Sequence, residues 1–414
     1  MYQLFLFLAA VTAVYADTDA ALALALRART DFDRVEAQPF PNLPDAARCA
    51  QSQAELLPIS RPTELPLVRF RKGYCELLDA GLTGNRTTYR QAAQDFAQAM
   101  VAWPARTPEP LSAGVQALSA IARLKAGADP TVLPGIRAGL EQALASRVCP
   151  ASVMSPRLCG ELLDAAKIWQ GWILLQDGNL AGAAAVFNQS PDSGWASWVA
   201  ARQAFEAHYY PQAAADFASA VEVWTNQQKY PRPGAVYVLG PRPDLPAALT
   251  ELGAARYLAG DYRGAAGSLD AAVKARPEDA RAWFLRGLAR EALGQPQAAL
   301  EDYQLASRTA FAQPGQPFAS GQAHFYRGVW YFRRQAWTQA EDEFASALNF
   351  DPGPGLRVDA AAWRSMAAVA AGSCDASAEA LERALPQVSG FFPRPVAERF
   401  LEGCRAQPRN LSRK

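Results

Sequence analysis

The sequence is poor in the residues from which metal and acid–base sites are usually built. Its 414 residues include only two histidines, His208 and His324, and none of its six cysteines forms a Cys-x-x-Cys pair. Zinc sites are assembled mainly from closely spaced cysteine and histidine ligands. Glycine-rich phosphate loops, a Gly-x-Ser-x-Gly elbow and a His-Glu-x-x-His motif are absent as well. The sequence therefore predicts no metal, no cofactor and no catalytic residue.

An excess of one charge is also missing. The chain has 41 basic and 40 acidic side chains, which gives a net charge of +1. Proteins bind nucleic acids through a strong cationic field, so this balance predicts no nucleic-acid partner. Hydrophobic residues make up 50% of the chain, and this share excludes disorder as the overall state.

Hydrophobic runs of membrane-spanning length are missing too. The apolar run over residues 2–15 is shorter than the about 20 residues that a spanning helix needs. It ends in Val14-Tyr15-Ala16, which places small or medium-sized residues where signal peptidase cleaves. We therefore predict a signal peptide at residues 1–16, export to the periplasm or the cell exterior, and no membrane insertion of the mature chain. An uncleaved anchor is the alternative, because no lysine or arginine precedes the run.

The six cysteines fall into three neighbouring pairs along the chain. An even number of cysteines behind a signal peptide favours disulfide bonds. Each pair lies within one predicted helical hairpin or cap, so we predict the nearest-neighbour connectivity. The predicted bonds are Cys49–Cys75, Cys149–Cys159 and Cys374–Cys404. Buried, unpaired thiols are the alternative.

The strongest signal in the sequence is a repeat of about 34 residues, with blocks that begin at Pro246, Ala280 and Gly321. Four positions agree in all three blocks: Gly253, Gly287 and Gly328 at position 8, Ala265, Ala299 and Ala340 at position 20, Leu269, Tyr303 and Phe344 at position 24, and Ala272, Ala306 and Ala347 at position 27. The blocks resemble the tetratricopeptide repeat, a helix-turn-helix unit. Its small residues let two helices approach closely, and the large residue fills the gap to the next hairpin.

The resemblance implies an all-α fold, an α-solenoid of about eight helix-turn-helix repeats wound into a right-handed superhelix. Weaker copies of the pattern precede the three clear blocks. We expect the signal peptide at 1–16, an N-terminal helix and proline-rich link at 17–65, degenerate repeats at 66–228, a proline-rich insertion at 229–245, well-formed repeats at 246–352, and a degenerate capping hairpin, C-terminal helix and tail at 353–414. Six prolines in residues 31–66 favour an extended conformation for the link.

The resemblance also implies a binding surface. In this family, positions 2, 5, 9 and 12 of the first helix of each repeat line a concave groove. The matching residues that form the predicted groove are Trp172, Trp195, Trp198, Arg202, Phe205, Tyr257, Arg281, Phe284, Glu291, Phe325 and Phe332, with Ile168 and Leu175 beside them. Aromatic residues and arginine dominate binding hot spots, so this groove suits an apolar peptide or an amphipathic helix. The alternative is that the aromatics are ordinary core.

These patterns together predict an exported bacterial scaffold that binds a protein or peptide partner without catalysis. Two alternatives remain open. One is a hydrolytic or glycan-processing enzyme on a helical toroid, which needs two carboxylates converging in one pocket. The other is a structural spacer subunit of an envelope or secretion assembly. We expect His324 to be packed and hydrogen-bonded and His208 to be a solvated turn residue. The sequence leaves the identity of the partner and the oligomeric state open.

Overall fold

The computed structural model describes residues 20–36, 43–62, 64–102, 110–127, 133–146, 156–189, 193–229, 240–312 and 318–406. Within these ranges the chain forms 19 α-helices and no strand, so the predicted all-α fold is confirmed. The helices are α1 (20–36), α2 (Leu43–Leu56), α3 (Leu65–Thr83), α4 (Arg86–Ala102), α5 (Pro110–Lys125), α6 (Leu133–Ser146), α7 (Pro156–Gln176), α8 (Leu180–Phe187), α9 (Trp195–Glu206), α10 (Tyr210–Lys229), α11 (Leu245–Leu258), α12 (Tyr262–Ala275), α13 (Ala280–Ala292), α14 (Pro296–Phe311), α15 (Ala319–Arg333), α16 (Trp337–Asn349), α17 (Pro354–Ala370), α18 (Ala376–Ala384) and α19 (Arg394–Ala406).

The helices pack in consecutive pairs, as the repeat pattern predicts. Eight such hairpins run from α3 to α18 in the described part of the chain, and α19 follows the last of them. The chain divides into two compact units: unit 1 comprises Met1–Val199 and Val223–Pro243, and unit 2 comprises Ala200–Glu222 and Asp244–Lys414. No helix in the described ranges is long and apolar enough to cross a membrane. The predicted signal peptide and most of the proline-rich insertion lie outside the described residues.

The repeat register of unit 2 rests on a close contact inside each hairpin. The glycine at position 8 of the first helix lies against the large side chain at position 24 of the second. A Cβ atom built on Gly253, Gly287 or Gly328 would lie 2.5 Å from Leu269, 2.6 Å from Tyr303 or 2.7 Å from Phe344, respectively. Real Cβ atoms do not approach that closely, so only glycine allows the two helices to pack at this distance.

This contact predicts opposite effects for two glycine-to-alanine changes. Gly287→Ala should lower the stability by about 1–3 kcal/mol through overpacking, because the buried Tyr303 ring is held by Phe284 at 5.7 Å and by a hydrogen bond to Glu291. Gly267→Ala is the matched control, since no atom lies within 4 Å of its added Cβ. It should stabilise α12 by up to about 1 kcal/mol. Thermal unfolding of both variants measures the difference, and equal shifts would contradict the register.

The predicted extended link between residues 31 and 66 is wrong, because much of it is helical. Pro44 lies in the first turn of α2, where a proline removes no helical hydrogen bond. The buried side chain of Gln53 donates a hydrogen bond of 2.7 Å from Nε2 to the carbonyl of Ala28 in α1. Helix α2 is therefore packed against its neighbours and is part of the core of unit 1.

Two of the three predicted disulfide bonds are confirmed. Cys49–Cys75 joins α2 to α3 with a Cα–Cα distance of 5.8 Å. Cys374–Cys404 joins the loop after α17 to α19 with a Cα–Cα distance of 5.4 Å. Cys149 lies outside the described residues, so the Cys149–Cys159 bond stays a prediction.

Candidate binding face

The first helices of three consecutive repeats in unit 2 present ionised and phenolic side chains to one another. We call the surface formed by Glu251, Tyr257, Arg281, Glu291 and Arg333 the first-helix face. Arg281 of α13 bridges to α11, with Nη1 at 2.5 Å from Glu251 Oε1 and Nη2 at 3.2 Å from Glu251 Oε2. The Arg281 side chain is 45% exposed and that of Glu251 is 22% exposed. The Arg281 guanidinium thus links two repeats through two hydrogen bonds, and part of it stays exposed to solvent.

The Arg281 guanidinium fixes the charge of its partner. Burial by itself would raise the pKa of the Glu251 carboxyl, but Arg281, with a smaller contribution from Arg202, holds that pKa below its ordinary value. Glu251 is therefore ionised at neutral pH. This end of the first-helix face therefore carries a fixed anion beside a fixed cation.

The other end of the first-helix face combines an ion pair with two phenols. Glu291 Oε2 accepts a hydrogen bond of 2.8 Å from the Tyr303 hydroxyl, and Arg333 Nε lies 3.1 Å from the same oxygen. Burial, with the neighbouring Tyr262 and Glu291, raises the pKa of Tyr257 to about 12. Tyr257 is therefore neutral at physiological pH and offers a hydroxyl donor on an apolar ring.

Four of the predicted groove aromatics lie in the core. Trp195, Phe284, Phe325 and Phe332 are between 1 and 6% exposed. Phe284 stacks on Tyr326 with ring centroids 4.9 Å apart, and Phe332 meets the edge of Trp363 at 5.0 Å. Trp195 packs between Phe187 of α8 and Trp224 of α10. All four side chains are thus core residues, as the alternative interpretation of the aromatic positions holds. Their contact with a ligand stays a prediction.

Four further predicted groove side chains, those of Trp172, Trp198, Arg202 and Phe205, are half-buried and make contacts within their own hairpins. Trp172 meets Trp169 at 5.3 Å, Trp198 meets Trp224 at 5.4 Å, Phe205 meets Phe217 at 6.5 Å, and Arg202 lies 3.9 Å from Glu206. Ile168 is buried and Leu175 is half-buried. Trp172 and Trp198 belong to unit 1, whereas Arg202 and Phe205 belong to unit 2.

Sequence reasoning missed two members of the first-helix face. Glu251 and Arg333 occupy positions 6 and 13 of their repeats, one residue beyond the lining positions 5 and 12. Both make the ion pairs that connect neighbouring repeats. Positions 6 and 13 lie four residues after the lining positions 2 and 9, and residues four apart share one face of a helix. This spacing was the available signal.

One pair of carboxylates converges in unit 1, the arrangement that the enzyme alternative requires. Glu76 of α3 and Asp95 of α4 are both buried, and Lys72 Nζ donates hydrogen bonds to each of them. Burial raises the pKa of Glu76 to about 7, although Lys72 acts in the opposite direction. Arg69 also pairs with Asp95 at 3.2 Å. These contacts join the two helices of a hairpin, and the lysine occupies the space between the acids.

The two histidines lie where the sequence predicts. His324 Nδ1 is 2.8 Å from Glu343 Oε2, and its ring stacks on Phe350 with centroids 5.2 Å apart. His208 is exposed in the turn between α9 and α10, with Nδ1 2.7 Å from the Tyr210 hydroxyl. Neither joins a metal site, since the described residues contain no group of three or more His, Cys, Asp or Glu side chains able to hold an ion.

Comparison with known proteins gives one family match. A model of the tetratricopeptide repeat matches residues 250–317, which run from α11 to just beyond α14. No curated protein sequence matches the chain. Similar solved structures include a tetratricopeptide repeat protein from Parabacteroides merdae (14% identity, 71% of this chain and 99% of that chain, TM-score 0.39), yeast Tom70 (12%, 94% and 96%, 0.37) and the APC/C hetero-tetramer Cut9–Hcn1 (12%, 88% and 90%, 0.41). At these identities and TM-scores the structures point to no particular partner.

Proposed function

The chain is a tetratricopeptide repeat protein, and from this premise we propose that it is an exported, non-catalytic scaffold that binds a segment of a partner protein on the first-helix face. The observation that carries the proposal is the composition of that face. It places the half-exposed Glu251–Arg281 pair and the Tyr257–Glu291–Arg333 cluster on consecutive repeats.

A polypeptide segment suits this face better than a small ligand does. Three successive first helices contribute to it, so its groups are spread along the repeat direction and match an elongated partner. The ion pairs set orientation and specificity, while the ring of Tyr257 supplies apolar contact.

Export is supported by the covalent links in both units. Cys49–Cys75 and Cys374–Cys404 tie helices together, and such bonds persist in the periplasm and outside cells but are rare in the reducing cytosol. The apolar run at residues 2–15 supports the same compartment.

Reversing one charge on the first-helix face should strongly weaken partner capture. Arg281→Glu places a second carboxylate beside Glu251, which repels any partner group that the guanidinium attracts. We expect at least a tenfold loss of retention, because removing a charged hot spot typically costs about 2 kcal/mol or more in binding. The measurement is a pull-down from an envelope extract of the native host, quantified by mass spectrometry, with the variant and the wild-type chain as baits.

Arg263→Glu is the matched control, since it makes the same charge change at an exposed site on α12, the second helix of its hairpin. A protein retained by the wild-type chain and by Arg263→Glu, but lost with Arg281→Glu, supports the proposal. Identical retention by all three baits contradicts it. Circular dichroism of the baits checks that each has kept its helical content.

A further inference from the structure

The chain returns to its own first-helix face after the last hairpin. Residues 388–404, which we call the C-terminal segment, follow α18 and contain an irregular stretch and most of α19. This segment has no place in the 34-residue pattern. It nevertheless contacts the first helices of repeats that lie well before it in the chain.

The irregular stretch of the C-terminal segment lies on α11. The Phe391 ring stacks on Tyr257 with centroids 5.8 Å apart and planes inclined by 25°. Gly390 is pressed against the same helix, since a Cβ atom built on it would lie 2.7 Å from Leu258 Cδ2. The segment thus covers the phenolic end of the first-helix face.

Helix α19 lies on α15, α16 and α17. The Phe400 ring is 6.1 Å from Phe332 of α15 and 5.9 Å from Trp337 of α16. Just before α19, Phe392 meets Trp363 of α17 at 5.5 Å. Tyr257 and Phe332 both occupy position 12 of their repeats. The segment therefore covers the same position in two repeats, with one phenylalanine for each.

Both ends of the C-terminal segment are attached to the last hairpin. The Ser389 backbone N–H donates a hydrogen bond of 2.8 Å to Asp359 Oδ1, and its hydroxyl donates to the other oxygen of that carboxylate. At the far end, Cys404 is bonded to Cys374. The contacts with α11, by contrast, are non-covalent, and Tyr257 and Phe391 are only half-buried.

We infer that the C-terminal segment is an intramolecular ligand of the first-helix face, and that a partner binds by displacing it. This inference rests on the proposed function. The displacing partner carries the chemistry of the segment: two adjacent aromatic residues followed by a short amphipathic helix with one further aromatic on its apolar side. The protein in its free state is self-occupied.

A labelled peptide tests this inference on the full-length protein. The probe has the sequence of residues 388–406 with serine in place of Cys404, and a scrambled peptide is its control. The double variant Phe391→Ser/Phe400→Ser weakens the resident segment and leaves every residue of the first-helix face unchanged. We expect the probe to bind this variant at least tenfold more tightly than the wild-type chain in fluorescence anisotropy. Phe350→Ser, at an exposed phenylalanine outside the segment, should bind it like the wild type.

Equal affinity of the probe for the wild type and the folded double variant would overturn the inference, as would binding of the scrambled peptide. Hydrogen–deuterium exchange of the wild-type chain provides a second measurement that does not depend on the folding of the variant. The amides of a displaceable segment should exchange at least tenfold faster than those of α15. The scrambled peptide should not slow the exchange of either α15 or α19. Exchange of residues 388–404 only at the rate of α15 would show a permanent core element and would also overturn the inference.

The two proposals fail separately. If Arg281→Glu does not reduce partner retention but the probe binds the double variant tightly, the proposed function is contradicted and the self-occupied face is supported. If Arg281→Glu reduces partner retention but the probe binds neither protein, the proposed function is supported and self-occupancy is contradicted.

Discussion

Asp302→Ala is expected to destabilise unit 2 by about 3–5 kcal/mol, the typical loss when one partner of a buried ion pair is removed. Asp302 is the buried centre of a charge cluster between α13 and α14. Its Oδ1 accepts a hydrogen bond of 2.7 Å from Arg286 Nη2, its Oδ2 one of 3.1 Å from Arg286 Nε, and Arg290 Nη1 lies 3.0 Å from Oδ2. Alanine leaves the buried Arg286 guanidinium without its main counter-charge.

Asp270→Ala is the control for Asp302→Ala, because the two carboxylates bind the same arginine. Asp270 Oδ1 is 2.7 Å from Arg286 Nη1, but its side chain is 55% exposed whereas that of Asp302 is 1% exposed. Solvent screens the outer pair, so its loss should cost no more than about 1 kcal/mol. Urea unfolding of both variants measures the contrast, and similar losses would show that burial does not set the strength of this cluster.

Phe344→Ala is expected to cost about 3–5 kcal/mol, in the range of buried phenylalanine truncations. The Phe344 ring is fully buried in α16 and contacts Gly328, Phe325 at 5.8 Å and Trp363 at 5.7 Å. It joins its own hairpin to the next one through Trp363. Hydrogen–deuterium exchange should therefore show lost protection in α15, α16 and α17 together, because a repeat array depends on its nearest-neighbour interfaces.

Phe350→Ala is the matched change near the same helix. Phe350 lies just after α16, is 60% exposed and touches mainly the ring of His324. Its removal should change the stability by less than about 1 kcal/mol and leave the protection of α17 intact. A local effect of Phe344→Ala confined to α16 would contradict its assignment as the residue that couples two hairpins.

The repeats were predictable because their determinants are local and periodic. Gly287 and Tyr303 are 16 residues apart, and the same pairing recurs at Gly328 and Phe344. A single repeat therefore carries the information for its own hairpin, and several copies confirm the register. The helix α2 was not predictable in this way, because the prolines around it favour an irregular link and its packing depends on α1 and on the Cys49–Cys75 bond.

The first-helix face was predictable only in part. The repeat positions correctly brought Tyr257, Arg281 and Glu291 to neighbouring first helices. They do not determine exposure, since Phe332 is buried by Trp363 and by Phe400 from outside the repeat pattern. Contacts of that kind join residues that are distant in sequence and do not recur with the repeat. The repeat pattern therefore cannot predict them.

The Cys374–Cys404 bond has a further consequence for competition at the first-helix face. It closes a covalent loop over 30 positions of sequence, so a lifted C-terminal segment stays tethered at both ends. A short tether of this kind holds its end at an effective concentration in the millimolar range. A partner present at about micromolar concentration must therefore bind the face about a thousandfold more tightly than the untethered segment would to occupy half of the molecules.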